Sequence, residues 1–431
     1  IAKARASGQQ ISVAGGRHAM GGQQFASGAL HIDTSALDAM LGSDAEHGWL
    51  HIEAGAHWPR IIEASHRIDG GWGIRQKQTG VDAVSLGGSI SANAHGRGLS
   101  MQPLGDDIEN LTLLNAEGDL VSCSREHNAE LFSLAIGGYG LFGVIYSATL
   151  RLSPRQRLQR VVDIIDLDDA MNAVQRRVDE GCRYGDFQFA IDAEDDSFLR
   201  RGVLACYKPA PAAAAQHEAA DLPPETWLQL LRLAHEDKRA AFRLYAQHYL
   251  GTHGQCYWSD TMQQSTYLPS YAEHLERSRG EALQRETLVI GEHDVPREQL
   301  MAFMKRARAV LRAHSSEVIY GTIRSIRRDT VSFLPWAKDD FACVVFNLRT
   351  PHTAAGIERT AAAFRALTDA SISLGGSFFL TYHRHATVAQ VEAAYPRFRE
   401  FLQHKRRHDP RELLTSDWYR HYRDAFAASA A

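Results

Sequence analysis

The chain has 431 residues, with 47 basic against 51 acidic side chains for a formal charge of −4, and is 44% apolar and 23% charged. These are globular proportions, long enough for two or three domains with real cores, and the near-neutral balance argues against a nucleic-acid binder. No run of about 18 apolar residues is present, and five scattered cysteines without a CxxC pair exclude a disulfide scaffold and carry no zinc signature.

The chain starts at Ile1, and Ile1–Gly8 reads as the tail of a helix already under way. A native N-terminal piece is therefore expected upstream, with any signal peptide or anchor it held. The cysteine usage fits a reducing compartment, so the expected location is cytoplasmic.

Residues 9–155 are strand-rich and punctuated by glycine. Ile11–Val13 runs into Gly15-Gly16, and Leu30–Asp33 and Leu50–Glu53 alternate as half-buried strands do. Trp58–Ile68 has helical spacing. Leu111–Leu114, a turn at Ala116–Asp119 and Leu120-Val121 read as a hairpin. Asn128–Ile136 reads as a short helix with Asn128 as its cap, and Val144–Leu152 as a strand. Residues 156–395 mix strands with longer helices: Leu167–Val178 helical, Phe187–Asp192 a strand, 209–215 a surface loop, Glu225–Leu250 one helical stretch, then strands at Leu288–Ile290, Val318–Ile323 and Phe341–Asn347. Residues 396–431 are basic and helical, with a break at Asp409-Pro410. The basic face from Arg397 to Arg407 reads as solvated rather than nucleic-acid binding.

Gly138-Tyr-Gly140-Leu-Phe-Gly143 fits G-x-G-x-x-G, but a helix precedes it and a strand follows. That is the reverse of a nicotinamide-binding crossover, so the NAD reading fails its context. Gly15-Gly-Arg-His18 follows a strand directly, and Gly87-Gly-Ser-Ile-Ser-Ala-Asn-Ala-His95-Gly96 is a second small-residue run. Any one such loop is a turn. Together they point to a phosphate-bearing cofactor, because a chain without Cβ atoms lets backbone N–H groups approach a pyrophosphate. His47 and His51 fall across a strand start, and no metal site is expected.

The order of these three loops resembles the FAD-binding domain of the vanillyl-alcohol oxidase / para-cresol methylhydroxylase (PCMH-type) flavoproteins, in the sugar, alditol and aldonolactone oxidase and decaprenylphosphoryl-ribose oxidase branch. The resemblance covers 11–154 and resumes at 375–383 and 409–417. It implies an α+β, two-domain PCMH-type fold: an FAD-binding domain over 1–155, an α+β substrate (cap) domain over 156–395, and a C-terminal segment, 396–431, returning to the FAD domain. It implies FAD held by Gly15, Gly16, Arg17, His18, Gly87, Gly88, Ser89, Asn93, His95, Gly96, Gly140, Gly143 and Val144. His18 occupies the place of a histidine that carries the flavin covalently in many members, as a neutral imidazole is a competent nucleophile. Val81 stands where doubly linked members have a cysteine, so a second covalent bond is not expected.

On the substrate side, Ile323–Asp329 resembles a strand presenting an arginine over the flavin, which puts Arg324 there; a surface salt bridge is its plain alternative. Thr322 replaces the branch's glutamate. Tyr382 replaces an active-site lysine, and Tyr382 or His383 is the candidate to take the hydroxyl proton. An aromatic pair packing on the flavin edge is the alternative for these two. Tyr257-Trp258 and Tyr267–Tyr271 are a candidate pocket lining.

The reading is an FAD-dependent oxidoreductase removing hydride from a CH–OH carbon of a sugar, alditol or lactone-type small molecule to flavin N5. Oxygen, a quinone or a protein remains open as electron acceptor. A flavin-dependent double-bond reductase and an inactive flavin-binding partner protein are the alternatives.

Overall fold

The computed structural model describes residues 1–211, 222–265 and 284–429. Helix α1 (Ala2–Ser7) ends on the left-handed Gly8 and leads to β1 (Ile11–Ala14), which pairs in parallel with β2 (Leu30–Asp33). Then come β3 (Met40–Asp44), β4 (Trp49–Glu53), α2 (Trp58–Ser65), β5 (Trp72–Ile74), α3 (Leu86–Ala92), β6 (Ile108–Leu114), β7 (Leu120–Ser124), α4 (Ala129–Ala135) and β8 (Val144–Pro154). Strands β3-β4-β8-β6-β7 form one antiparallel sheet in that order, with β5 on the end of β8. Helix α2 buries Trp58, Ile61, Ile62 and Ser65, the i, i+3, i+4, i+7 face that its spacing dictates, against the core of this sheet.

The second part holds β9 (Arg157–Asp166), α5 (Ala170–Asp179), β10 (Tyr184–Phe189), β11 (Arg201–Pro209), α6 (Pro224–Glu236), α7 (Lys238–Gly251), β12 (Cys256–Trp258), β13 (Glu286–Pro296), α8 (Leu300–Ala313), β14 (Glu317–Ile326), β15 (Phe341–Pro351), α9 (Ala354–Ile372) and β16 (Ser377–Phe378). These strands form an antiparallel sheet ordered β12-β9-β11-β10-β14-β15-β13-β16. One face is apolar: Phe187, Phe189, Ile323, Val344 and Phe346 pack with Phe303 and Leu311 of α8 and Phe364 and Leu367 of α9. The opposite face carries polar residues at alternate positions and, beside β14, meets the first part of the chain.

Helices α10 (Val388–Ala394), α11 (Phe398–His408) and α12 (Asp417–Ala428) close the chain. Ile11 donates to Leu413 O and bridges Leu414, so this segment returns beside β1. Trp418, fully buried, stacks on Tyr139 at 4.5 Å and donates to Leu380 O. The architecture is α+β.

Four expectations are corrected in detail. Asn128 precedes α4 but does not cap it; its amide donates to Ser122 O instead, from a left-handed backbone. The stretch Glu225–Leu250 is two helices, because Asp237 leaves helical φ/ψ and caps α7 through Ala240 N. The basic face of α11 is not wholly solvated: Lys405 is fully buried, donating to Leu141 O and pairing with Asp409 at 2.6 Å. The strand expected over Phe187–Asp192 runs earlier, as β10. Residues 212–215 of the expected loop and Tyr267–Tyr271 lie outside the described residues.

Candidate active site

Strand β1 delivers the chain into Gly15–His18. A Cβ on Gly15 would lie 2.1 Å from Ser85 Oγ, and one on Gly16 2.0 Å from Ala83 O, so the two glycines let this loop pack directly on the turn before α3. Arg17 follows with φ +59°. Among the described residues no acceptor takes the backbone N–H groups of Gly16, Arg17 or His18. A turn of left-handed backbone with unspent N–H groups is an anion-binding concavity. The His18 ring is exposed; partial desolvation, then the neighbouring His57, lower its pKa, which keeps the imidazole neutral.

The second loop is more committed. Ser85 caps α3 by accepting from Gly88 N, and Ser89 Oγ donates to Ser85 O while accepting from Trp58 Nε1. Gly87 spends its N–H on Ala54 O. Asn93 ends α3 in the left-handed region; its side chain accepts from Gly105 N and donates to Asp329. Gly96 packs on the Lys77 carbonyl. The third loop is tied to α3 by Gly137 N to Ile90 O and Tyr139 N to Ser91 O. Gly140, at φ +77°, has open space where a Cβ would stand, and Gly143 turns the chain into β8 at Val144. Helix α4 comes before this loop and β8 after it, as the context argument against a nicotinamide site requires.

The wall opposite is the polar face of the large sheet. Cross-strand register places Arg324 opposite Cys343, Cys343 opposite Asp294 and Asp294 opposite Ser377. One step along, Thr322, Val345 and Glu292 form the next row of the same face. Arg324 is only 7% exposed and makes no hydrogen bond or ion pair among the described residues; its Nε is buried without a partner. Thr322, in place of a glutamate, donates to Asp186 Oδ2 at 3.1 Å, and Asp186 faces Arg97 at 3.9 Å.

Sequence reasoning missed the carboxylate of this wall. Glu292, 3% exposed, accepts from His95 Nε2 at 2.7 Å through one oxygen and from the Tyr382 hydroxyl at 3.4 Å through the other. Burial alone would raise its pKa, but the bonded His95, with Arg324 and Tyr382, holds it below the ordinary carboxylate value. Burial, then Glu292, push the Tyr382 phenol well up. No pattern along β13 marks Glu292, since its partners come from residues 197 positions earlier and 90 later. Lys77 was also missed. It is fully buried, paired with Asp82 at 2.7 Å, and feels the charge of Arg324.

The structure thus brings Arg324, Tyr382 and His95 to one place. His383 is exposed and stacks on His385 at 5.5 Å, with no hydrogen bond or ring contact to Arg324, Tyr382 or Glu292 among the described residues.

Residues 1–124 match the family model described as an FAD binding domain. That match assigns FAD binding to the N-terminal part of the chain. The unspent N–H groups of Gly16–His18 and the open Gly140 fit a flavin dinucleotide, and these loops would hold it. Among curated relatives, the flavoprotein is 27% identical over 206 residues to an uncharacterized oxidoreductase of the fasciation locus of Rhodococcoides fascians, covering 44% of this chain and 43% of that one. It is 30% identical over 160 residues to L-gulonolactone oxidase of Bos taurus, covering 37% and 35%. It is 26% identical over 162 residues to cytokinin dehydrogenase 9 of Oryza sativa subsp. japonica, covering 37% and 30%. The matched part spans less than half the length of each of these relatives. No helix among the described residues is long and apolar enough to cross a membrane.

Proposed function

We propose that this flavoprotein is an FAD-dependent oxidoreductase acting on a CH–OH carbon of a sugar, alditol or lactone-type substrate. FAD, when bound, supplies the acceptor for the hydride leaving that carbon. The observation that carries the reading is Arg324: a buried guanidinium with no hydrogen-bond or ion-pair partner among the described residues, on a polar wall that also presents a tyrosine hydroxyl. A buried cation without acceptors is costly, and an oxygen-rich ligand relieves that cost. Its planar fork orients a hydroxyl and stabilises negative charge that develops on that oxygen as its proton leaves. Half-buried Gln188, beside Asp186 on the same face, adds a donor and an acceptor that suit a further hydroxyl. The names of two relatives, a lactone oxidase and a dehydrogenase, agree with oxidation as the reaction class.

The test is anaerobic mixing with a panel of alditols, aldoses and aldonolactones, following loss of the visible flavin absorbance. Bleaching by a panel member supports the reading, and Arg324→Met is expected to slow it about a hundredfold. Bleaching by reduced nicotinamide, with reoxidation by an activated double bond and none by any alcohol, would replace it with the reductase.

A further inference from the structure

The oxidation just proposed leaves one proton to be placed, and the notable feature of the wall is that its tyrosine is backed by a carboxylate. Tyr382 is half-buried and is the member of the His95–Glu292–Tyr382 chain that still has solvent access. His95 and Glu292 are buried, so neither can meet substrate as Tyr382 can. Tyr382 spends its O–H on Glu292 Oε2, which leaves the phenol oxygen free to accept. Glu292 cannot turn away from this task, because His95 holds its other oxygen at 2.7 Å.

We propose that Glu292 is a positioning residue that makes Tyr382 the proton acceptor of the reaction and is itself the final resting place of that proton. This rests on the alcohol-oxidising reading. The balance is simple. The C–H bond breaks and its electron pair leaves with the hydride, for which FAD, when bound, would supply the acceptor. The C=O bond forms as the hydroxyl O–H breaks, its proton goes to the Tyr382 oxygen, and the phenol's own proton goes to Glu292 Oε2. The substrate is oxidised by two electrons, the chain gains one proton, and Tyr382 ends neutral.

A phenol alone is a poor base here, since burial and the adjacent carboxylate disfavour phenolate. With Glu292 behind it, no phenolate need form. Glu292 is a weak base, but a hydroxyl losing hydride from its carbon becomes a protonated carbonyl, which is a far stronger acid than any carboxyl. The charged and titratable groups around Glu292 are His95 from the loop after α3, Arg324 from β14, Cys343 from β15, Tyr382, and its own strand's His293 and Asp294. Asp294 lies two residues along on the same face of the strand, and burial, then Glu292, push its pKa well above the ordinary carboxylate value.

The experiment compares the wild-type holoprotein with Glu292→Gln, Glu292→Asp and Tyr382→Phe. Glu292→Gln is expected to slow flavin bleaching by the best panel substrate about a hundredfold, with KM little changed and the acid limb of the pH profile lost. Glu292→Asp should recover part of the rate, and Glu292→Gln combined with Tyr382→Phe should be no slower than either alone. A second readout needs no substrate: the near-ultraviolet phenolate titration. One tyrosine should ionise at lower pH in Glu292→Gln than in wild type, and that transition should vanish when Tyr382→Phe is added. An unchanged rate and acid limb in Glu292→Gln, or an unshifted phenol titration, overturns the relay while leaving alcohol oxidation standing. A wild type bleached by no alcohol overturns the functional reading and the relay together.

Discussion

Asn93 and Asp329, 236 positions apart, are joined by one buried hydrogen bond, Asn93 Nδ2 to Asp329 Oδ2 at 2.8 Å. It links the end of α3 to the loop after β14, and thereby the cofactor loops to the polar wall. Asn93 Oδ1 also accepts from Gly105 N at 2.9 Å, so the side chain is spent inside the protein. Its φ of +49° is one that asparagine tolerates better than alanine. Asn93→Ala is expected to destabilise the flavin-free protein by about 1–3 kcal/mol, since Gly105 N loses its acceptor and Asp329 a donor. The urea midpoint of apoprotein measures this. An unchanged midpoint with weakened FAD binding would return Asn93 to a purely cofactor-facing role.

His18 gives a prediction about covalency. Its exposed ring lies in the loop with unspent N–H groups, and desolvation and His57 lower its pKa. The expected outcome is a yellow pellet after acid precipitation of wild type and a yellow supernatant for His18→Ala. The lowered pKa means the nucleophilic neutral form is lost only as pH falls through a value below that of free imidazole. Flavin attachment to apoprotein should therefore persist at mildly acidic pH. Colour wholly in the wild-type supernatant would leave His18 as a contact.

What the sequence made legible follows local physics. The hairpin β6–β7, helix α2 and the order of α4, loop and β8 were readable because turn chemistry and periodicity are set within a few residues. Arg324 was legible only through the resemblance of Ile323–Asp329 to a strand that presents an arginine over the flavin. Glu292, Lys77 and Lys405 were not. Glu292 takes its partners from distant elements, and Lys77 and Lys405, although paired with Asp82 and Asp409 close by in the chain, owe their burial to distant segments that supply the Gln263 and Leu141 carbonyls, so a local pattern does not separate them from surface residues. Conversely, Tyr382 and His383 are adjacent in sequence, and only the turn of the backbone after β16 separates a half-buried phenol from an exposed imidazole.

Gly16 tests the packing of the first cofactor loop. Its added Cβ would stand 2.0 Å from the carbonyl of Ala83, a backbone atom that cannot simply rotate away. Gly16→Ala is expected to cost about 1–3 kcal/mol by overpacking and to weaken FAD retention, because the loop must lift from the turn before α3. Gly42→Ala in β3, where nothing lies within 4 Å of the new methyl, is the control and should change neither thermal midpoint nor flavin content.

Lys77 predicts a pH dependence of stability. Its ammonium pairs with Asp82 at 2.7 Å and donates to the carbonyls of Gln78 at 2.6 Å and Gln263 at 3.0 Å. Burial outweighs the pull of Asp82 and brings its pKa down to about 8. In the unfolded chain a lysine holds its proton to about pH 10.4. Between those limits the unfolded state binds more protons than the folded one, so this group makes the protein more stable as pH rises, by up to about 1.4 kcal/mol per unit. Lys77→Met lacks that slope. It leaves Asp82, already accepting from Ser265 N, with a constant penalty across the same window. Urea midpoints of wild type and Lys77→Met from about pH 8 to 10 should therefore diverge in favour of wild type as pH increases. Parallel curves would mean that the buried lysine keeps its proton to the unfolded value.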